Sequence, residues 1–278
     1  MTHFATLHIH NDSGVQTIVL NRPEKRNALT PQLISDLTQA LEAAGANREC
    51  RVVILTGAGS AFCAGLDLEN LRAMAEGSPH DPHSLQACQE EAENIADLLR
   101  TIYCLPKPTI AAVNGPAIAG GMGIATLCDF TLAVPEAKFG YTEVRIGFVP
   151  AIVSTFLRAQ IGDKRSRDLL LTGRIFGAEE ALSLGLVTRI VSEPELMAEA
   201  RALAQKLLRN SPAAMEATKR LLNKFADRHL PGEIEAAILA NVQARTTEDF
   251  AEGVRAFLGK RDPQWAPPAA AKDSAARR

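Results

Sequence analysis

The sequence predicts an α/β fold with a helical C-terminal subdomain. Two observations carry this. A buried strand, a glycine-rich turn and a helix follow one another twice, over 52–71 and over 109–128, which is the alternation of an α/β core. From Pro194 onward the pattern turns helical and shows no further strand. At 278 residues and 46% hydrophobic, the chain has material for one large core. We therefore expect a core over 1–193, a helical subdomain over 194–261 and a disordered tail over 262–278, where Pro and Ala accumulate.

In chain order, FATLHIH and VQTIVL flank Asn11-Asp12-Ser13-Gly14, a hairpin signal. His8 and His10 alternate with Leu7 and Ile9 and so belong on the solvent face of a strand. A polar, Pro-broken loop covers 21–29. Thr30-Pro31 then offers an N-cap with Pro at the first helical position, and Leu33, Ile34, Leu37 and Leu41 give 31–44 a helical stripe. The run Arg51–Thr56 reads as a buried strand. Residues 70–83, with Gly77, Pro79 and Pro82, read as a mobile loop, followed by a helix over 84–103.

The stretch Pro108–Cys128 carries no charge, which raises the possibility of a membrane span. Asn114, Pro116 and the glycines at 115, 120, 121 and 123 break that helix. The better parse is strand, Gly-rich turn, short helix, then the strand FTLAV. Beyond Pro150, helices are expected over 151–161, 163–171 and 178–184, a strand over 186–191, and helices over 194–209, 212–226, 232–245 and 248–259, the last capped by Thr247.

A Gly-rich turn that feeds a helix gathers free backbone N–H groups at one point. Two such turns can face each other and give one N–H each, the geometry of an oxyanion hole. One carboxylate, Glu143, follows in the next loop. Several chemistries are disfavoured. A net charge of −2 argues against bulk nucleic-acid affinity. Five scattered cysteines show neither zinc spacing nor a disulfide pattern, so reduced thiols and no metal are expected. Gly57-Ala58-Gly59 lacks the third glycine and the acidic partner of a dinucleotide site. No leader or transit pattern is visible at the N-terminus, and a cytoplasmic protein without membrane association is the expectation.

Six ordered blocks, NRPEKRNAL, VVILTGAGSAFCAGLDL, KPTIAAVNGPAIAGGMGIATLCDF, AKFGYTEVRIGFVP, TGRIFGAEEALSLGLV and EGVRAFLGKRDP, resemble the crotonase (enoyl-CoA hydratase/isomerase) superfamily over about residues 5–262. The resemblance implies a spiral of repeated β-β-α units, a helical C-terminal trimerisation region, and a homotrimer or dimer of trimers. It implies an acyl-CoA substrate, with coenzyme A as part of that substrate and no separate cofactor. By the same resemblance, Leu66 and Gly120 supply the oxyanion N–H groups and Glu143 is catalytic. Lys25, Arg26, Ala28, Ala64, Asp67 and Leu68 would approach the CoA, while Phe257 and Lys260 match residues that reach a neighbour's CoA.

The pattern departs from a hydratase of this family at one place. The second catalytic glutamate would stand at Gly123, so one carboxylate is kept and one is missing. Syn hydration through Glu143 is the first expectation. A Δ-isomerase with Glu143 as single proton shuttle is the second. Other enolate chemistry and a non-catalytic or RNA-binding role complete the alternatives.

Overall fold

The computed structural model describes residues 4–77, 81–226 and 230–265. Its strands are β1 (Leu7–Asp12), β2 (Val15–Leu20), β3 (Val52–Gly57), β4 (Thr109–Val113), β5 (Ala117–Ile118), β6 (Phe130–Ala133), β7 (Lys138–Gly140), β8 (Phe176–Gly177) and β9 (Arg189–Ile190). Its helices are α1 (Pro31–Ala46), α2 (Leu68–Glu76), α3 (Pro82–Cys104), α4 (Gly120–Leu127), α5 (Ala151–Thr172), α6 (Ala178–Ser183), α7 (Leu196–Leu208), α8 (Pro212–Ala226), α9 (Leu230–Arg245) and α10 (Glu248–Leu258). The α/β expectation holds.

The main sheet has the order β1-β2-β3-β4-β6-β9. β1 and β2 form the expected antiparallel hairpin, with His8 and His10 facing out. Ser13 and Gly14 both take positive φ, 47° and 89°, which matches the twist of a two-residue hairpin turn. The remaining neighbours pair in parallel. Every side chain of Val52–Leu55 and Ile110–Val113 is fully buried, as central strands covered on both faces require. One face takes α7, whose Leu196, Ala200 and Ala204 join the main core. Helix α1 packs on α3 and buries Leu33, Leu37 and Leu41. Thr30 caps α1 as expected, its side chain accepting from the Leu33 N–H at 3.2 Å.

Several elements differ from the sequence reading. The expected loop over 70–83 is largely helical. Asp67 caps α2 by accepting from the Glu69 N–H at 3.0 Å, and Asp81 caps α3 by accepting from the Ser84 N–H at 2.9 Å. Local caps won over the composition of Gly77 to Pro82. Residues 78–80 of that loop lie outside the described residues, as do 266–278 of the expected tail. The strand expected over 186–191 shortens to two residues, Arg189–Ile190. A second sheet, β5-β7-β8, was not foreseen, because strands of two or three residues leave no alternation to read. Gly162, at φ 78°, divides α5 where the two expected helical runs meet. Among the described residues, no helix is long and apolar enough to cross a membrane.

Candidate active site

The two glycine turns lie side by side because their backbones pair. Cys63 and Ala117 form a parallel bridge: the Phe62 and Cys63 N–H groups both donate to the Pro116 carbonyl at 3.1 Å, and the Ile118 N–H donates to the Cys63 carbonyl at 2.9 Å. Such an approach leaves no room for side chains between the strands. A Cβ at Gly121 would stand 2.3 Å from the Cys63 carbonyl oxygen, and one at Gly65 (φ 87°) 3.1 Å from Ala119 Cβ. On its other side the first turn bridges to Leu29, through the Leu29 N–H to the Gly65 carbonyl at 2.7 Å and the Asp67 N–H to the Leu29 carbonyl at 3.0 Å. Those bonds use the neighbours of Leu66, so its own N–H points away from the bridge and donates to no backbone acceptor among the described residues. Gly120 is the first residue of α4, and its N–H has no intrahelical partner.

Ala119, just before Gly120, sits at φ 52° and ψ −122°, a conformation that L residues rarely adopt. It is held there by its N–H donating to the Gly140 carbonyl at 2.8 Å and its carbonyl accepting from the Gly123 N–H at 3.1 Å. Strain of this kind costs about 1–3 kcal/mol and persists where the surroundings over-determine it.

Glu143 opens a short 3₁₀ helix, Glu143–Ile146, which Gly147 ends in a left-handed conformation. The close approach of the Asp249 carbonyl, 2.2 Å from where a Cβ would stand, requires glycine at 147. The Glu143 side chain is buried, and its Oε2 has no hydrogen-bond partner among the described residues. Burial pushes its carboxyl up to about 7 from an ordinary value near 4.5, only partly offset by its own backbone N–H. Arg145, two residues on, lies exposed and does not relieve it. Two thiols near this core are poor nucleophiles: burial pushes Cys63 and Cys128 up to about 12.

Leu66, Gly120 and Glu143 line one cavity of about 750 Å³. Lys25, Arg26, Ala28, Ala64, Asp67, Leu68 and Phe257 line it too. Asp67 is a structural member: it is buried and bonded at 3.1 Å by both terminal nitrogens of Arg22, which also donates to the Ala28 carbonyl. Lys25 pairs at 3.0 Å with the exposed Glu69, a contact of little energetic weight.

Three further sequence candidates are placed as follows. Phe257 lies on the cavity of its own chain, because α10 packs back on α2 and the 3₁₀ turn through Phe250 against Phe148. Lys260 is exposed and off the cavity wall. Gly123 is also off the wall: a Cβ there would meet Val153 Cγ1 at 2.9 Å and Leu99 at 3.5 Å, so apolar side chains fill the space in which a second carboxylate would begin. Sequence reasoning missed Leu71, Ile95, Phe148, Ile152, Val153 and Asn241 on the wall. Asn241 and Arg245 stand one helical turn apart on α9, the one local signal that pointed to a buried polar pair.

Comparisons with known proteins give the family and the fold. A family model described as enoyl-CoA hydratase/isomerase matches residues 10–268. A Thermus thermophilus relative whose name places it among the enoyl-CoA hydratases is 44% identical over 253 residues, 90% of this chain and 97% of its own. The crystal structure of an enoyl-CoA hydratase from Bacillus halodurans superposes with a TM-score of 0.84 at 28% identity, over 91% of this chain and 100% of that one. An enoyl-CoA hydratase/isomerase from Xanthobacter autotrophicus Py2 gives 0.84 at 30% identity, over 94% and 98%.

Proposed function

The chain belongs to the enoyl-CoA hydratase/isomerase family, and from that premise we propose that it hydrates a 2-enoyl-CoA thioester by syn addition, with Glu143 as its single proton-transfer group. One observation carries the reading: a buried carboxylate whose Oε2 has no hydrogen-bond partner among the described residues stands on the same cavity as two backbone N–H groups that none of those residues uses. A group near pH 7 exists in both protonation states at neutral pH, as a residue that both takes and returns a proton requires.

In the proposed sequence, the Glu143 carboxylate removes a proton from water while the water oxygen bonds to C3. The electron pair of the 2,3 double bond moves to the thioester oxygen. The Leu66 and Gly120 N–H groups receive that charge, and each such donor in a water-excluded site contributes about 3–4 kcal/mol. Protonated Glu143 then returns its proton to C2 from the same face, which makes the addition syn. Lys25 and Arg26, at an exposed end of the cavity, suit the CoA phosphates. Leu221 and Leu222 on α8 and Leu239 on α9 are exposed apolar side chains, which supports assembly as a homotrimer or dimer of trimers.

A second reading has its own support. Val153 and Leu99 stand where the second carboxylate would begin, and a Δ-isomerase needs only one group to move a proton between C4 and C2. Paired assays with crotonyl-CoA and a 3-enoyl-CoA separate the two. Formation of 3-hydroxyacyl-CoA establishes hydration. Growth of conjugated enoyl absorbance from the 3-enoyl substrate, with no hydroxy product, replaces hydration with isomerisation.

A further inference from the structure

We infer that Asn241 selects the acyl chain, donating a hydrogen bond from its side-chain amide to an oxygen carried on that chain. The inference rests on the acyl-thioester reading above. Helix α9 packs against both α3 and α5, and Asn241 lies on the cavity wall that their Ile95 and Ile152 also line. Its side chain is well buried, at 5% exposure. Its Oδ1 accepts from Arg245 Nε at 3.1 Å.

That bond fixes which end of the amide is free. A guanidinium has donors only, so the amide cannot be turned round without placing N–H against N–H. Nδ2 is left over, and no acceptor within the described residues takes it. Arg245 is itself held. Its Nη1 donates to Glu91 at 3.1 Å and to Met74 Sδ at 3.3 Å, and its plane lies over the Phe148 ring at 5.2 Å. The donor is thus set by a buried ion pair that joins α3 and α9, with Met74 of α2 against the same nitrogen.

Leu71, Ile95, Phe148, Ile152 and Val153 give the same cavity apolar wall. A hydrocarbon chain would desolvate the amide and leave it unpaired, which is costly. A chain with a carbonyl, hydroxyl or carboxylate oxygen would satisfy it. A site built around such a donor rejects the analogue that lacks the acceptor.

The test compares three 2-enoyl-CoA probes of matched length, ending in a methyl group, a methyl ketone or a carboxylate, at several lengths. Wild type is set against Asn241→Asp, which keeps the bond from Arg245 but presents an acceptor to the cavity, and against Asn241→Leu. The readout is the ratio of kcat/KM between probes, so a general loss of rate does not enter. Calorimetric Kd values for the saturated analogues give the same ratio without turnover. Wild type should favour an oxygen-bearing probe about tenfold, the scale of one hydrogen bond, and both variants should lose that preference. The ketone and carboxylate arms tell a neutral acceptor from a charged one. Equal ratios in wild type and both variants at every length would overturn the inference. A change in Kd ratio without any hydration would sustain it while removing the hydratase reading.

Discussion

Replacing Glu143 by Gln should make the protein more stable, and by an amount that grows with pH. The carboxyl is held near 7 in the fold against an ordinary value near 4.5, so the folded state favours the protonated form. That preference is fully present below pH 4.5 and is lost as pH rises through about 7. The distance between the two values, at about 1.4 kcal/mol per pH unit, comes to about 3 kcal/mol. Glutamine has nearly the shape of the protonated acid and does not ionise. The variant should therefore match wild type near pH 4.5 and exceed it above pH 7, with about 2 kcal/mol of the difference arising between pH 5 and pH 8. Urea denaturation of both proteins at those two pH values measures it. A stability difference that is the same at pH 5 and pH 8 would refute the reasoning, since the carboxylate would then ionise in the fold as freely as in water. The same variant should bind acyl-CoA but lose turnover by about 10²–10⁴-fold, the range for a lost acid–base group.

Other substitutions probe the frame. Gly121→Ala sets a Cβ 2.3 Å from the Cys63 carbonyl oxygen, so it should push the two turns apart and cost about 1–3 kcal/mol with a matching fall in kcat, read by thermal melting and initial rates. Gly123→Glu alone should destabilise without raising hydration, because Val153 occupies the path; combined with Val153→Ala the stability loss should shrink, and a double-mutant cycle measures that coupling. Arg22→Met leaves the buried Asp67 without its partner and frees the Ala28 carbonyl; a loss of about 2 kcal/mol is expected, and unchanged urea midpoints would show that the clamp is dispensable.

Much of the frame was legible because it is written in local patterns. The runs 52–55 and 110–113 are apolar without interruption, and Thr30-Pro31 and Thr247 are caps that name their helices. The two glycine turns were also legible in the residues, whereas Glu143 was singled out as catalytic through the family resemblance, and the fold places it on one cavity with Leu66 and Gly120. What stayed hidden depends on distant pairing. β5, β7 and β8 are too short to carry a period and exist through one another's hydrogen bonds. The fit of Phe257 to its own chain follows from Phe250 packing on Phe148, over a hundred positions away. Gly123 read as a vacancy for a carboxylate, and only the placement of Val153 and Leu99 shows the space already filled.

Around the proposed oxyanion pair the two turns are joined by main-chain bonds between Cys63 and Ala117, and the first turn is held on its other side by main-chain bonds between Leu29 and Leu66. A genetic scan of this chain should therefore look uneven in an informative way. Position 66 would tolerate many residues even though its N–H is central to the proposed chemistry, because every residue except proline brings that same group. Positions 65 and 121, which touch no reacting atom, would tolerate almost none. Sensitivity to substitution would thus map the neighbours of the reaction rather than its participants, with Glu143 as the place where the two coincide.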